Sequence, residues 1–268
     1  GAGTIRNVAN ATSAVFRSAI EAGAVKVNPC SGLRLERTEH APMRFLSADE
    51  VARLAHAIGE PYGPLVTFAA YTGLRAGELA ALRWENVDLL RGAVTVSESY
   101  AEVHGKLERG PTKTYARRTV ALPRFLVDLL APRAAATGLV FEAPEGGPIR
   151  QSNFYRRHFT RACVEAGLGE IVTDPKTKRP RYRGLRFHDL RHTMVALLVA
   201  QGAHPLAIKE RLGHSSITVT LDQYGHLLPS LDEALTDGLE STYRKAAEDS
   251  VRTSRGLVHS LDARQGAA

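Results

Sequence analysis

His188, Arg191, His214 and Tyr224 fall in one stretch of the chain, Arg186 to Tyr224, which contains RFHDLRHT, an apolar helical run, RLGHSSI and LDQY. Their chemistry suits a phosphodiester. Breaking such a bond without water needs a nucleophile, stabilisation of the charge that builds in the transition state, and a proton for the leaving oxygen. A tyrosine oxygen is a nucleophile, and its phosphate ester keeps the energy of the bond it replaces, so a strand can be rejoined without ATP. Arg191, and Arg75 far upstream, are planar bidentate donors that match nonbridging phosphate oxygens better than lysine does.

Such side chains work only if element ends deliver them to one place. Asp189 stands at a helix start, and Leu190, Met194, Leu197 and Leu198 recur at helical spacing as a buried stripe. His188 and Arg191, three apart, share the face of that helix's first turn. Helix N-termini present free N–H groups and positive partial charge, which suits a phosphate. A second helix, Pro205 to Leu212, stops at Gly213, a residue fit for the left-handed conformation. His214 follows in the turn, and Ser215 or Ser216 can cap the helix leading to Tyr224. His188 and His192 are four apart, a spacing found in metal pairs. Asp-Leu-Arg lies between them, however, and a cationic Arg191 disfavours a metal ion. His192 and Thr193 read as supporting or packing residues, and Tyr71, Tyr100 and Tyr243 as half-buried packing tyrosines.

H-x-L-R-H at residues 188–192, L-G-H at 212–214 and a tyrosine ten residues on resemble the active-site half of a tyrosine recombinase of the phage integrase family. Each piece is common; their order and spacing together are specific. The resemblance extends upstream. T-G-L-R-x-G-E-L, at Thr72–Leu79, matches the family segment that carries the first phosphate-binding arginine, here Arg75, with Glu78 beside it. An ordinary ion pair between Arg75 and Glu78 is the competing reading. PTKT followed by ARRTVALP matches the strand–turn–strand that carries the catalytic lysine, here Lys113, with Lys106 the competing candidate on the same sheet. By resemblance His188 accepts the Tyr224 proton or binds phosphate, His214 is a second donor to the phosphate, and Lys113 protonates the departing 5′-hydroxyl. No metal or cofactor is implied, because the arginines supply the positive charge.

The implied partner is double-stranded DNA at recombination sites. The implied assembly is a homotetramer when the protein is full length, with a monomer compatible with this fragment, joined by accessory DNA-bending or directionality proteins. Two other classes compete. A type IB topoisomerase would use the same phosphotyrosine chemistry without paired sites. A non-catalytic DNA-binding module would have no need of all six residues. A bare helix-turn-helix factor would have no place for the sheet that carries Lys113.

Bulk properties agree with a DNA-binding enzyme. The formal charge of +7 favours a polyanionic partner. Cys30 and Cys163 give neither a disulfide framework nor metal-ligand spacing. No apolar run nears the roughly 20 residues of a membrane span, and no signal-peptide pattern opens the chain, so a cytoplasmic protein is expected.

The remaining sequence reads as an α+β, mostly α-helical catalytic fold with a small three-stranded antiparallel sheet. Residues 1–36 read as a helix, with an apolar face of Val8, Ala11, Val15, Phe16 and Ala19, and a connector; by the same resemblance they look like the last helix of a core-binding domain. The rest of that domain and an arm-binding domain are expected upstream of residue 1. Residues 37–247 read as the catalytic domain and 248–268 as a disordered tail. Within the domain, Ser47 and Glu50 form a capping box before the helix Ala48–Ile58, and Pro64–Tyr71 is a second helix. Residues from Gly92 to Pro123 alternate as strands around a turn at His104-Gly105. Leu126–Ala136, with a break at Pro132, and Phe154–Glu165 are further helices. Lys176, Lys178, Arg179, Arg181 and Arg183 lie in a basic loop just before the phosphate site and are candidates for contact with the DNA backbone. After Tyr224 come a breaker, Pro229, and a helix, Leu231–Ala246.

Overall fold

A computed structural model describes residues 2–35, 43–112, 117–175, 177–227, 236 and 239–245. Lys113, Lys176, Pro229 and the tail 248–268 lie outside the described residues, as does half of the helix expected from 231 to 246; residues 236 and 239–245 are helical. The chain divides into two compact units, Gly1–Met43 and Arg44–Ala268.

The first unit is one long helix, α1 (Ala2–Glu21), and a short return segment. Val8 and Val15 on its apolar face are exposed. The segment is tied back by Asn28, whose Nδ2 donates to the carbonyl of Ser13 at 3.2 Å and to its Oγ at 3.0 Å.

The second unit opens on α2 (Ala48–Ile58), started by the expected capping box: Ser47 Oγ accepts from the Glu50 N–H, and Glu50 Oε2 accepts from the Ser47 N–H. α3 (Gly63–Thr72) has apolar residues all round and is buried almost throughout, as such a helix must be. It ends at Gly73 in the left-handed conformation and leads to the short α4 (Ala76–Ala81). α5 (Arg124–Leu130) ends earlier than the sequence suggests, in a 3-10 turn over Ala131–Arg133, because Pro132 removes a donor. The next helical run is α6 (Gln151–Phe154), a π-helical turn over Tyr155–Phe159, and α7 (Thr160–Glu165). The last three helices are α8 (Asp189–Ala200), α9 (Pro205–Leu212) and α10 (Ile217–Tyr224), with a 3-10 turn over Gly225–Leu227.

The strands pair differently from expectation. β1 (Val87–Asp88), β2 (Ala93–Val96) and β5 (Arg118–Ala121) form a three-stranded antiparallel sheet, with Val94 opposite Val120. The run AVTVSES breaks at Ser97, and its second half becomes β3 (Glu98–Val103). β3 pairs with β4 (Lys106–Pro111) across the expected turn at His104-Gly105, as a ribbon separate from that sheet. The basic loop is also more ordered than its charge suggests: β6 (Gly169–Thr173) and β7 (Pro180–Gly184) make an antiparallel hairpin.

Two contacts set the frame for the chemistry. α3 and α8 pack side by side in the core, where Phe68, Leu190 and Met194 are fully covered. Leu197 and Leu198 are only partly buried; the buried face of α8 turns instead through Thr193 and Val195. α4 lies against β3 so closely that a Cβ on Gly77 would sit 2.3 Å from the carbonyl oxygen of Tyr100. The glycine of the T-G-L-R-x-G-E-L segment is thus a packing requirement that seats α4. Among the described residues no helix is long and apolar enough to cross a membrane.

Candidate active site

Arg75 is the residue before α4, held extended at φ −70° and ψ 153°. Both its backbone and its side chain engage Glu78: the N–H donates to Oε2 and Nη1 to Oε1, each at 2.9 Å. The ion pair of the competing reading exists, but it is not an isolated surface pair. Glu78 is buried and also receives Arg118, Nη1 to Oε1 at 3.0 Å and Nη2 to Oε2 at 2.7 Å. Burial pushes the Glu78 carboxyl up, but the hydrogen bonds and charges of Arg118 and then Arg75 outweigh it and hold the pKa below the ordinary value.

Arg191 projects from the first turn of α8 and is buried. Its guanidinium donates Nη1 to the carbonyl of Gly73 and Nη2 to that of Leu212, the latter at 2.7 Å. These are the last turns before Arg75 and His214, so one side chain locks three elements together. Burial first, then the charge of Arg75, pushes the Arg191 pKa down to about 9, and it stays a cation at neutral pH. The carboxylate whose field reaches it, Glu78, is already engaged by two other arginines. Among the described residues, three guanidinium groups and one carboxylate leave two uncompensated positive charges, a setting that calls for an anion.

His188 and His214 belong to the same cluster. His188 immediately precedes α8, with its outer edge open to solvent. His214 follows Gly213, which caps α9 in the left-handed conformation at φ 66°, and its Nδ1 lies 2.9 Å from Thr220 Oγ1. Desolvation comes first for both imidazoles. Next come His192 and then Arg191 for His188, and Arg191 and then Arg75 for His214; each pKa is pushed down to about 4. Both are neutral at pH 7 and can donate a hydrogen bond without adding charge.

Tyr224 closes α10, whose first turn is capped by Ser216 accepting from the Thr218 N–H. Only 2% of its surface is accessible. Burial pushes the phenol up to about 12, with Arg191 pulling the other way. The family resemblance makes His188 either the acceptor for this hydroxyl or a phosphate ligand, and the hydroxyl lies 2.6 Å from Nδ1 of His192. The His188 ring meets the His192 ring edge-on instead, with centroids 5.0 Å apart. The sequence reading gives His192 only a supporting or packing role and does not name Tyr224 as its partner. Its position four residues after His188, on one helix face, was the available signal.

Arg118, the second arginine on Glu78, was also missed. Besides Glu78 it donates Nε to the carbonyl of Arg211 at 3.1 Å, stitching β5 to the end of α9. The structure thus gathers Arg75, His188, Arg191, His214 and Tyr224. Lys113 belongs to the residues left undescribed, just before β5. Lys106 is exposed at the turn end of β4, opposite Val103, and not in the sheet with β5. Tyr243 is 73% exposed rather than half-buried, and Tyr71 packs edge-on against Phe125. Of the basic residues, Lys178 and Arg179 are exposed in the turn of the hairpin. On β7, Arg181 and Arg183 are exposed and lie 3.8 and 3.7 Å from Asp174 and Glu170.

The model of the family described as "Phage integrase family" matches residues 44–230. The chain is 28% identical over 241 residues to the ICEBs1 integrase of Bacillus subtilis, covering 88% of this chain and 65% of that protein. It is 25% identical to a XerC-like tyrosine recombinase of Caldanaerobacter subterraneus, covering 84% of this chain and 63% of the relative. It therefore spans under two thirds of the length of these curated relatives. Among solved structures it resembles the Tn1549 transposon integrase bound to a circular intermediate DNA, with a TM-score of 0.70 over 89% of this chain and 79% of that one, at 20% identity. That likeness supports the tyrosine-recombinase catalytic fold. The family model covers most of the second unit and every residue of the cluster, and the chain belongs to the phage integrase family.

Proposed function

We propose that this chain is the catalytic part of a site-specific DNA recombinase that cuts and rejoins strands through a 3′-phosphotyrosine on Tyr224. The observation that carries this reading is Arg191: a buried guanidinium, held by two backbone carbonyls, with no free carboxylate among the described residues to neutralise it, beside two neutral histidines and a tyrosine. In this reading Arg75, Arg191 and His214 grip the nonbridging oxygens of the scissile phosphate. They stabilise the charge that grows on those oxygens in the transition state. Tyr224 attacks, the bond from phosphorus to the 5′ oxygen breaks, and Lys113 gives the leaving oxygen its proton. Glu78 holds Arg75 in place. The substrate is double-stranded DNA in the cytoplasm, and the full-length enzyme works as a tetramer on paired sites. Membership in the phage integrase family favours this over topoisomerase-like relaxation by the same chemistry.

The test uses a pool of nicked duplexes with randomised sequence around the nick, so that cleavage releases a short fragment and traps the covalent complex. Adducts are separated on a denaturing gel, the trapped DNA is sequenced and the linked peptide is mapped. The parent chain gives an adduct on Tyr224, and Tyr224→Phe binds DNA equally well but gives none. An adduct that persists in Tyr224→Phe, or that maps to Tyr243, overturns the reading.

A further inference from the structure

We infer that His192 is the base for the nucleophile: its Nδ1 takes the Tyr224 proton as the phenolic oxygen attacks phosphorus. This rests on the recombinase reading and gives a role to the last histidine of H-x-L-R-H, to which the resemblance assigned no part in the reaction. A general base must stand within hydrogen-bond reach of the proton it removes, and His192 Nδ1 is 2.6 Å from the Tyr224 hydroxyl. Among the described residues no hydrogen bond joins His188 to Tyr224, and the His188 ring is turned edge-on to His192. The tyrosine is too well covered for bulk water to take the proton.

His192 is also well placed to stay fixed. It follows Arg191 on α8, in the turn that packs against α3, and is itself buried. The ionisable groups around it are His188 before α8, Asp189 and Arg191 on α8, Arg186 upstream, and Tyr224 on α10. Burial lowers its pKa and the two arginines add to that, so the ring is neutral near pH 7. With its single proton on Nε2, it presents a lone pair at Nδ1. Asp189 favours the imidazolium that forms.

The step balances. The O–H bond of Tyr224 breaks and an N–H bond forms at Nδ1. The freed electron pair on oxygen makes the bond to phosphorus, the bond to the 5′ oxygen breaks, and that oxygen takes its proton from Lys113. In rejoining, His192 returns the proton to Tyr224.

The experiment measures single-turnover cleavage of a nicked duplex recovered from the randomised pool, from pH 5 to 9, for the parent, His192→Asn and His188→Gln. Asparagine places an amide oxygen near the Nδ1 position, so it can hold the hydroxyl but cannot carry off a proton. A base contributes roughly 10²- to 10⁴-fold, so His192→Asn is expected to cleave about 100-fold or more slowly with unchanged DNA affinity. Its rate should keep rising with pH, as hydroxide replaces the missing base. The parent and His188→Gln should both level off once the imidazole is neutral. His192→Phe, which keeps a ring in the space, gives the same loss should asparagine unfold the helix. Cleavage by His192→Asn at the parent's rate or faster overturns the inference and makes the contact a resting latch. So does loss of the levelling in His188→Gln alone. A parent chain that forms no adduct at all overturns the recombinase reading itself.

Discussion

Glu78 has no direct part in the proposed reaction, yet two of the cluster's arginines converge on it. Its carboxylate is 1% exposed and accepts four hydrogen bonds, two from each of Arg75 and Arg118. Removing one partner from a buried ionic group leaves the other charges unpaired and costs roughly 3–5 kcal/mol. Glu78→Ala should therefore lower unfolding stability by about that much, read from urea melts, and weaken DNA cleavage because Arg75 loses its brace. The histidines set a pH dependence of their own. In the unfolded chain they titrate near 6.5, but in the folded cluster near 4. The unfolded state thus binds more protons between those values, and stability is full above pH 6.5 and declines as pH falls toward 4. Urea midpoints measured in steps across that window should drop, by an amount reduced by the solvent reaching His188. His214→Gln should flatten the drop.

α9 and α10 position the cluster through their ends. Gly213 adopts φ 66°, and a Cβ there would lie 3.0 Å from Arg118 Cδ. An alanine faces both a left-handed backbone, which costs roughly 1–2 kcal/mol, and the side chain that braces Glu78. Gly213→Ala should lower the melting temperature and slow cleavage more than it weakens DNA binding, since the displaced groups are His214 and Arg118 rather than surface cations. Cleavage that stays at the parent rate would mean that α9 can end in another way without moving His214.

DNA affinity belongs to the whole molecule, because many separate cations contribute to it. The β6–β7 hairpin carries Arg181 and Arg183 outward, their exposed guanidinium groups each in a long pair with a carboxylate. Such pairs are worth about 0–1 kcal/mol, so the guanidinium groups can exchange them for phosphates at little cost. Each phosphate contact contributes about 0.9 to the slope of log affinity against log salt. Arg181→Ala and Arg183→Ala should each lower that slope by about 1 if their arginine meets the backbone, and the loss should be similar on unrelated DNA sequences. An unchanged slope would place the hairpin away from the DNA.

Local rules carried the sequence a long way. Helical spacing and capping residues located α2, α8, α9 and α10, and the order of motifs picked out Arg75, His188, Arg191, His214 and Tyr224 as a set that the fold does gather. Those signals work because a cap or a left-handed stop is made by neighbours in the chain, and because packed helices place their ends together. Pairing was legible only in part. The turn at His104-Gly105 set β3 against β4, but alternation marks the faces of a strand and not its partner, so nothing local said that β2 joins β5 in a separate sheet. Nor could spacing show that a basic loop folds into the β6–β7 hairpin. Two decisive contacts are longer-range still: Arg118 reaches Glu78 across 40 residues, and Tyr224 reaches His192 across 32. Sequence supplied the residues proposed to bind phosphate and to act as the nucleophile. Which histidine meets the Tyr224 hydroxyl was decided only by the tertiary structure, because a contact between side chains of α8 and α10 depends on how the helices are placed and not on what either one encodes.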